Sequence, residues 1–286
     1  MIDLHCHTHI SDNSYSIEEV IGLAKEQGVQ HLAITDHDTT IGLPSAILHG
    51  AKYGVNIIPG IEISAYDHKR GVRAHILGLF VTPGHSALSQ LCDPLIQRRH
   101  EASYEMVEQI IAAGYNISWQ QVGQYSARGT GVYKQHIMHA LLDAGYTSTI
   151  YGELYKKLFA RGDQAKGIAR GLAYQTITYI NMFDAIKAIA EAGGIPVLAH
   201  PGQMGNFPAI PELVDAGLQG IEVWHPSHNQ AAEQQAKDAA DAFNLLQTGG
   251  SDFHGFYTDS PGFPLGSKSP GKANLEALMS RVGKHL

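Results

Sequence analysis

Cysteine is scarce. The 286 residues hold two, Cys6 and Cys92, too few for a disulfide framework, and a reducing cytoplasm is the expected compartment. Long apolar runs are missing as well. No stretch approaches the roughly 20 residues a membrane span needs, so no membrane partner is expected. The opening Met1-Ile2-Asp3-Leu4-His5 lacks the basic region and apolar stretch of a secretory signal. Positive charge is also short: a formal net charge of −7 argues against a broad basic surface for gripping duplex DNA. It leaves room for a small anionic substrate, because bound cations do not register in a residue count. Internal repeats and low-complexity tracts are absent.

Histidine, by contrast, is abundant at 17 residues, and the chain is 44% hydrophobic, enough for one large domain or one domain carrying an insertion. The first hundred residues alternate short β-like runs with amphipathic segments. Residues 2–7, 31–35, 55–58 and 75–79 read as strands. Ser16 to Gln27 reads as a helix, with Ser16 and Glu19 as a capping box and Gly28 at its stop. A second helix is expected around 43–53. The same rhythm returns at 183–192 (helix), 195–199 (strand), 220–224 (strand), 230–243 (helix) and 244–248 (strand). Strands alternating with helices imply βα units and a parallel sheet, and about seven such units would close into a barrel. Residues 86–174 differ, with helical periodicity and almost no strand. The expectation is therefore an α/β barrel of residues 1–85 and 175–286, with a mostly helical insertion, 86–174, folded over its mouth and capping the substrate.

Six short clusters carry chemistry. In Asp3-Leu4-His5-Cys6-His7, strand alternation puts Asp3, His5 and His7 on one side and Leu4 and Cys6 on the other. Two imidazoles there can converge on one ion. Asp12 and Asn13 follow in a loop. Asp36-His37-Asp38 directly follows an apolar strand, and the remaining clusters are Glu62 with Ser64, His75, His200, and Asp252 with His254. Apart from the first cluster and His75, all fall at or beyond the C-terminal ends of expected strands, where barrel enzymes place active-site groups. Imidazole with carboxylate and no thiolate pair suits zinc, manganese or iron in a reactive site better than a structural zinc. Asp36 and Asp38 are expected to orient ligands or cap a helix.

These stretches (DLHCHTHISD, AITDHDT, PGIEIS, HILGL, VLAHPG and GSDFH) resemble the polymerase and histidinol phosphatase (PHP) family of amidohydrolase-like metal phosphoesterases. Within it the chain resembles the nucleoside 3′,5′-bisphosphate phosphatases and the 5′→3′ exoribonucleases. The resemblance implies a distorted (β/α)7 barrel of TIM-like form and two to three divalent ions, manganese favoured, with zinc or iron as alternatives. One ion would take His5, His7, Glu62 and Asp252. A second would share Glu62 and take His75 and His200, and a third would take Asp12, His37 and His254. Asp12 stands where some relatives have histidine, and its carboxylate favours a harder ion such as manganese. The implied reaction is phosphomonoester hydrolysis by a metal-bound hydroxide, removing the 3′-phosphate of a nucleoside 3′,5′-bisphosphate to leave the 5′-monophosphate. His225 is the candidate proton donor to the leaving group. In the insertion Arg99, Lys134 and His136, supported by Arg98 or Arg161, would grip the second phosphate, as Arg forks and Lys point charges do; Asn13 joins the substrate set. Cleavage of short RNA from its 5′ end and a histidinol-phosphate-type activity are the alternatives.

Overall fold

The structure is a computed structural model and describes residues 1–163, 167–258 and 262–282. The chain forms two compact units, Met1–Asp93 with Tyr179–Leu286, and Pro94–Thr178. In chain order the strands are β1 (Ile2–Asp3), β2 (His31–Ile34), β3 (Asn56–Ile63), β4 (Ala65–Asp67), β5 (Val72–Arg73), β6 (Ile76–Leu79), β7 (Ile180–Asn181), β8 (Ile195–Leu198), β9 (Gly220–Trp224) and β10 (Leu246–Gly249). Seven of them make one sheet in the order β1-β2-β3-β6-β8-β9-β10, and β5-β4-β7 form a small second sheet. Backbone bonds from Leu4 N to Gly249 O (3.1 Å) and from Asp252 N to His5 O (2.9 Å) join the segments after β1 and β10. The ring is thus nearly closed, as a distorted TIM-type barrel.

The helices of the barrel unit are α1 (Ile17–Glu26), α2 (Leu43–Tyr53), the first turns of α3 (Ser86–Ala112), α7 (Met182–Glu191), α8 (Pro201–Met204), α9 (Ile210–Asp215), α10 (Gln230–Phe243) and α11 (Lys272–Val282). Helix α1 begins at the expected capping box: Glu19 N donates to Ser16 Oγ and Ser16 N to the Glu19 carboxylate. Its buried residues Ile17, Val20, Ile21 and Ala24 follow the spacing of one helical face. The inner apolar cluster joins Leu4, Ala33, Ile58, Leu77, Leu79 and Val197 of the barrel to Leu275 and Leu278 of α11. Truncating fully buried Leu278 to alanine would cost about 2–5 kcal/mol.

One strand departs from the parallel βα pattern. β6 runs antiparallel to both β3 and β8. The reason lies in the connection: the segment between β3 and β6 holds only β4 and β5 and no crossover helix, so the chain turns back on itself. Helix α11 and the small sheet have no counterpart in the sequence reading. The second unit holds the rest of α3 with α4 (Trp119–Tyr125), α5 (Lys134–Asp143) and α6 (Glu153–Phe159), and no strand longer than an isolated bridge among its described residues. The division between units falls at Pro94, inside α3, where the missing N–H removes one helical hydrogen bond.

Candidate metal centre

Each functional side chain stands at one end of the barrel for a topological reason. The segments after β1, β2, β8, β9 and β10 leave the C-terminal ends of parallel strands, and Glu62 lies near the end of β3. His75 precedes its strand, yet reaches the same end because β6 is reversed: Ile63 at the end of β3 pairs with Ile76 at the start of β6. The reversal that broke the parallel pattern also explains why this cluster breaks the positional rule.

Four atoms converge at the centre: Nε2 of His5, Nε2 of His7, Oε2 of Glu62 and Oδ1 of Asp252. Five of their six separations are 3.1–3.4 Å. A tetrahedral site with bonds of about 2.1 Å has edges of about 3.4 Å, so the donor set fits a divalent ion without rearrangement. A second convergence joins His37, Glu62 and His75, and a third joins His7, Asp12, His37 and His254. Nε2 of His200 lies 3.0 Å from Oε1 of Glu62. All nine residues named from the sequence as ligands therefore meet in one cluster. The resemblance places His37 with Asp12 and His254 only; here its ring also faces Glu62 at 3.2 Å.

Buried carboxylates hold these groups in place. Asp3 accepts from the backbone N–H of His5, Ser251 and Gly266 and belongs to none of the convergences. Asp36 accepts from Thr8 N, Thr8 Oγ1 and Ser11 Oγ, fixing the loop that carries Asp12. Asp38 accepts from Ser64 N. Asn13, expected among the substrate contacts, donates to His7 O and Phe253 O, and its oxygen accepts from Tyr15 N. Asp38, His200 and Asp252 have φ of 60°, 26° and 50°, a region non-glycine residues rarely enter, so local strain concentrates here. At Gly250 a Cβ would collide with the backbone N of His5, so only glycine lets the segments after β10 and β1 approach this closely.

Glu222 escaped the sequence reading. It is fully buried, Oε1 lies 3.0 Å from Nδ1 of His5, and Oε2 accepts from His200 N at 2.8 Å. The signal was present: an acid inside the apolar run Gly220-Ile221-Glu222-Val223 must be paired if that strand is buried. His225 is nearly as buried, with Nε2 at 3.2 Å from Oδ2 of Asp252 and Nδ1 at 2.7 Å from Ser227 Oγ.

The electrostatics follow from packing many donors together. Burial works to raise the acids, but the imidazoles win: His37, His75 and His5 hold Glu62 well below the ordinary carboxylate range, and His5 and His254 do so for Asp252. Burial opposes charge on His7 too, yet hydrogen bonds with Asp252 and Glu62 push it up to about 10. His37 goes the other way, to about 4, through burial and its neighbours His7 and His75, which outweigh Glu62 and Asp12.

In the helical unit Arg99 stacks on the Tyr133 ring at 4.8 Å and its Nη1 reaches the Tyr133 hydroxyl at 3.2 Å. Lys134, first residue of α5, lies 5.4 Å from the centre of the Phe159 ring. His136 is buried and its Nδ1 accepts from Tyr133 N. Arg98 and Arg161 are exposed.

The barrel's C-terminal end thus gathers nine histidine and carboxylate side chains in a cluster able to bind metal ions. A model of the PHP domain family matches residues 3–192, and the chain belongs to that family. It is 40% identical over 259 residues to a phosphoribosyl 1,2-cyclic phosphate 1,2-diphosphodiesterase from Eggerthella lenta, covering 91% of this chain and 96% of that protein. It is 30% identical over 258 residues to a 3′,5′-nucleoside bisphosphate phosphatase from Chromobacterium violaceum, covering 88% and 87%. Among solved structures, a metal-dependent phosphoesterase from Bifidobacterium adolescentis superposes with a TM-score of 0.85 at 26% identity, over 98% of this chain and 96% of that one. The chain is a hydrolase of phosphate esters. Among the described residues no helix is long and apolar enough to cross a membrane.

Proposed function

We propose that the chain hydrolyses a phosphate ester on a ribose that carries a second phosphate, with phosphoribosyl 1,2-cyclic phosphate as first candidate. The observation that carries this reading is the cluster of shared donors around Glu62, whose spacing fits divalent ions that would draw a phosphate ester. Support for the sugar comes from the 40% identity to the Eggerthella lenta diesterase. Nucleoside 3′,5′-bisphosphates are the second reading, supported at 30% identity by the Chromobacterium violaceum phosphatase, and also place two phosphates on one ribose.

Two or three ions would be held by His5, His7, Glu62 and Asp252, by Glu62, His75 and His200, and by Asp12, His37 and His254, with manganese suited to the Asp12 position. Such ions supply positive charge to the ester phosphate and lower the pKa of coordinated water toward 7. Water oxygen bonds to phosphorus as the ester P–O bond breaks, and the leaving oxygen needs a proton. His225, which contacts Asp252 and Ser227, would give it. Arg99, Lys134 and His136, with Arg98 or Arg161 in support, would supply charge for the second phosphate. Opening a cyclic diester consumes one water and leaves a monoester, and a second water releases inorganic phosphate.

The test is phosphate release by the manganese-loaded protein from phosphoribosyl 1,2-cyclic phosphate, adenosine 3′,5′-bisphosphate, 3′-AMP, a short 5′-phosphorylated RNA and histidinol phosphate. The proposal expects the first substrate to be turned over fastest and both two-phosphate ribose substrates to exceed 3′-AMP. Equal rates on 3′-AMP, or preference for histidinol phosphate or the RNA, would sink it.

A further inference from the structure

We infer that Glu222 is a positioning residue that braces ligands of two adjoining metal positions at once; this rests on the metal-centre reading above. Glu222 sits in the middle of β9 with no exposed surface, and both of its oxygens are engaged. Oε1 faces Nδ1 of His5 at 3.0 Å, which leaves Nε2 of His5 turned toward His7, Glu62 and Asp252. Oε2 accepts from the backbone N–H of His200 at 2.8 Å, and His200 is the residue held at φ 26° with Nε2 at 3.0 Å from Glu62. The hydrogen bond offsets part of that strain and fixes where the His200 ring points. A carboxylate behind a ligating imidazole sets which ring nitrogen carries the proton and how the ring is aimed. Here one carboxylate does this for His5 and also fixes the backbone of His200.

His5, Glu222 and His225 also lie close enough to suggest an ion of their own. That ion would have to replace the contact of Glu222 with His5 and place a second metal on the same imidazole, and the Oε2 bond to His200 N would remain. The bracing role uses every contact present.

Glu222→Gln keeps the shape and removes the symmetry. One amide oxygen can serve His200 N or His5, but the NH2 group must face the other. Facing His5, it obliges Nδ1 to accept and moves the ring proton to Nε2, toward the cluster. Glu222→Asp, one methylene shorter, cannot span both partners. Manganese binding to metal-depleted wild type and both variants is measured by equilibrium dialysis, alongside melting of the metal-free proteins. The expected result is that Kd for Mn2+ rises about 10–100-fold in each folded variant. In addition, kcat at saturating Mn2+ should fall by less than Kd rises. A folded variant that binds Mn2+ as tightly and in the same number as wild type overturns the inference, as does a change confined to the melting temperature. Wild type that binds no Mn2+ at all refutes the metal centre itself, a different and distinguishable failure.

Discussion

Oε1 of Glu62 lies 2.8 Å from Nδ1 of His75, while Oε2 of the same carboxylate faces His5, His7 and His37 at 3.2–3.4 Å. A side chain that offers its two oxygens to two sets of histidines would serve two neighbouring cation positions, and Glu62→Gln would remove that capacity with little change in shape. Turnover should fall by at least about a hundredfold, since even groups behind the ligands are worth 10–100-fold. Circular dichroism should show an unchanged fold. A variant with near-normal turnover would remove Glu62 from the centre of the account.

Asp36 makes a different prediction, about stability. Its buried carboxylate accepts three hydrogen bonds, from Thr8 N, Thr8 Oγ1 and Ser11 Oγ. Asp36→Ala leaves those donors without their acceptor, at about 1–3 kcal/mol for a buried unsatisfied group, and frees the loop bearing Asp12. Urea unfolding should show a loss of about 2–4 kcal/mol, together with weaker Mn2+ binding. Loss of neither would mean that the loop is held by other contacts.

Arg99 tests the second phosphate. Arg99→Ala should raise KM for a substrate with two phosphates by about 10–100-fold, the value of a charged hydrogen-bonded contact of 1.5–3 kcal/mol. KM for a simple aryl phosphate should hardly move. Arg99→Lys should recover only part, because lysine keeps the charge but loses the planar fork that stacks on Tyr133. Equal effects on both substrates would mean that Arg99 supports the fold of its unit rather than recognition.

Proton linkage gives a pH prediction. In the metal-free protein the carboxylates around His7 push it up to about 10, and His5, His200 and His254 are raised as well. His7 therefore holds a proton at neutral pH, and an ion must displace it to bind. Apparent affinity for Mn2+ should therefore fall as pH drops from about 8 to about 6, and titration calorimetry in buffers of differing ionisation enthalpy should detect proton release. Binding without proton release would place the ion elsewhere.

Much of this was legible in residue order. The helices over 17–26 and 43–53 announced themselves through the Ser16–Glu19 box and the apolar spacing, and strands such as 220–224 through their apolar runs between turn residues. The ligand residues stood out because polar groups followed apolar strands. What pattern could not supply was direction: a strand reads alike whichever way it runs, so the reversal of β6, and with it the reason His75 precedes its strand, emerged only in three dimensions. Glu222 was hidden for a related cause. Its significance depends on His5 and His200, 217 and 22 residues away, and no local spacing links them.

The most direct test of the account is a titration of metal-depleted protein with Mn2+, following bound ion and phosphate release together. Turnover should be absent without metal and should rise only as more than one equivalent binds, because Glu62, His7 and His37 are each shared between convergent donor sets. Full activity in the presence of a strong chelator, or saturation of activity at a single bound ion, would contradict it.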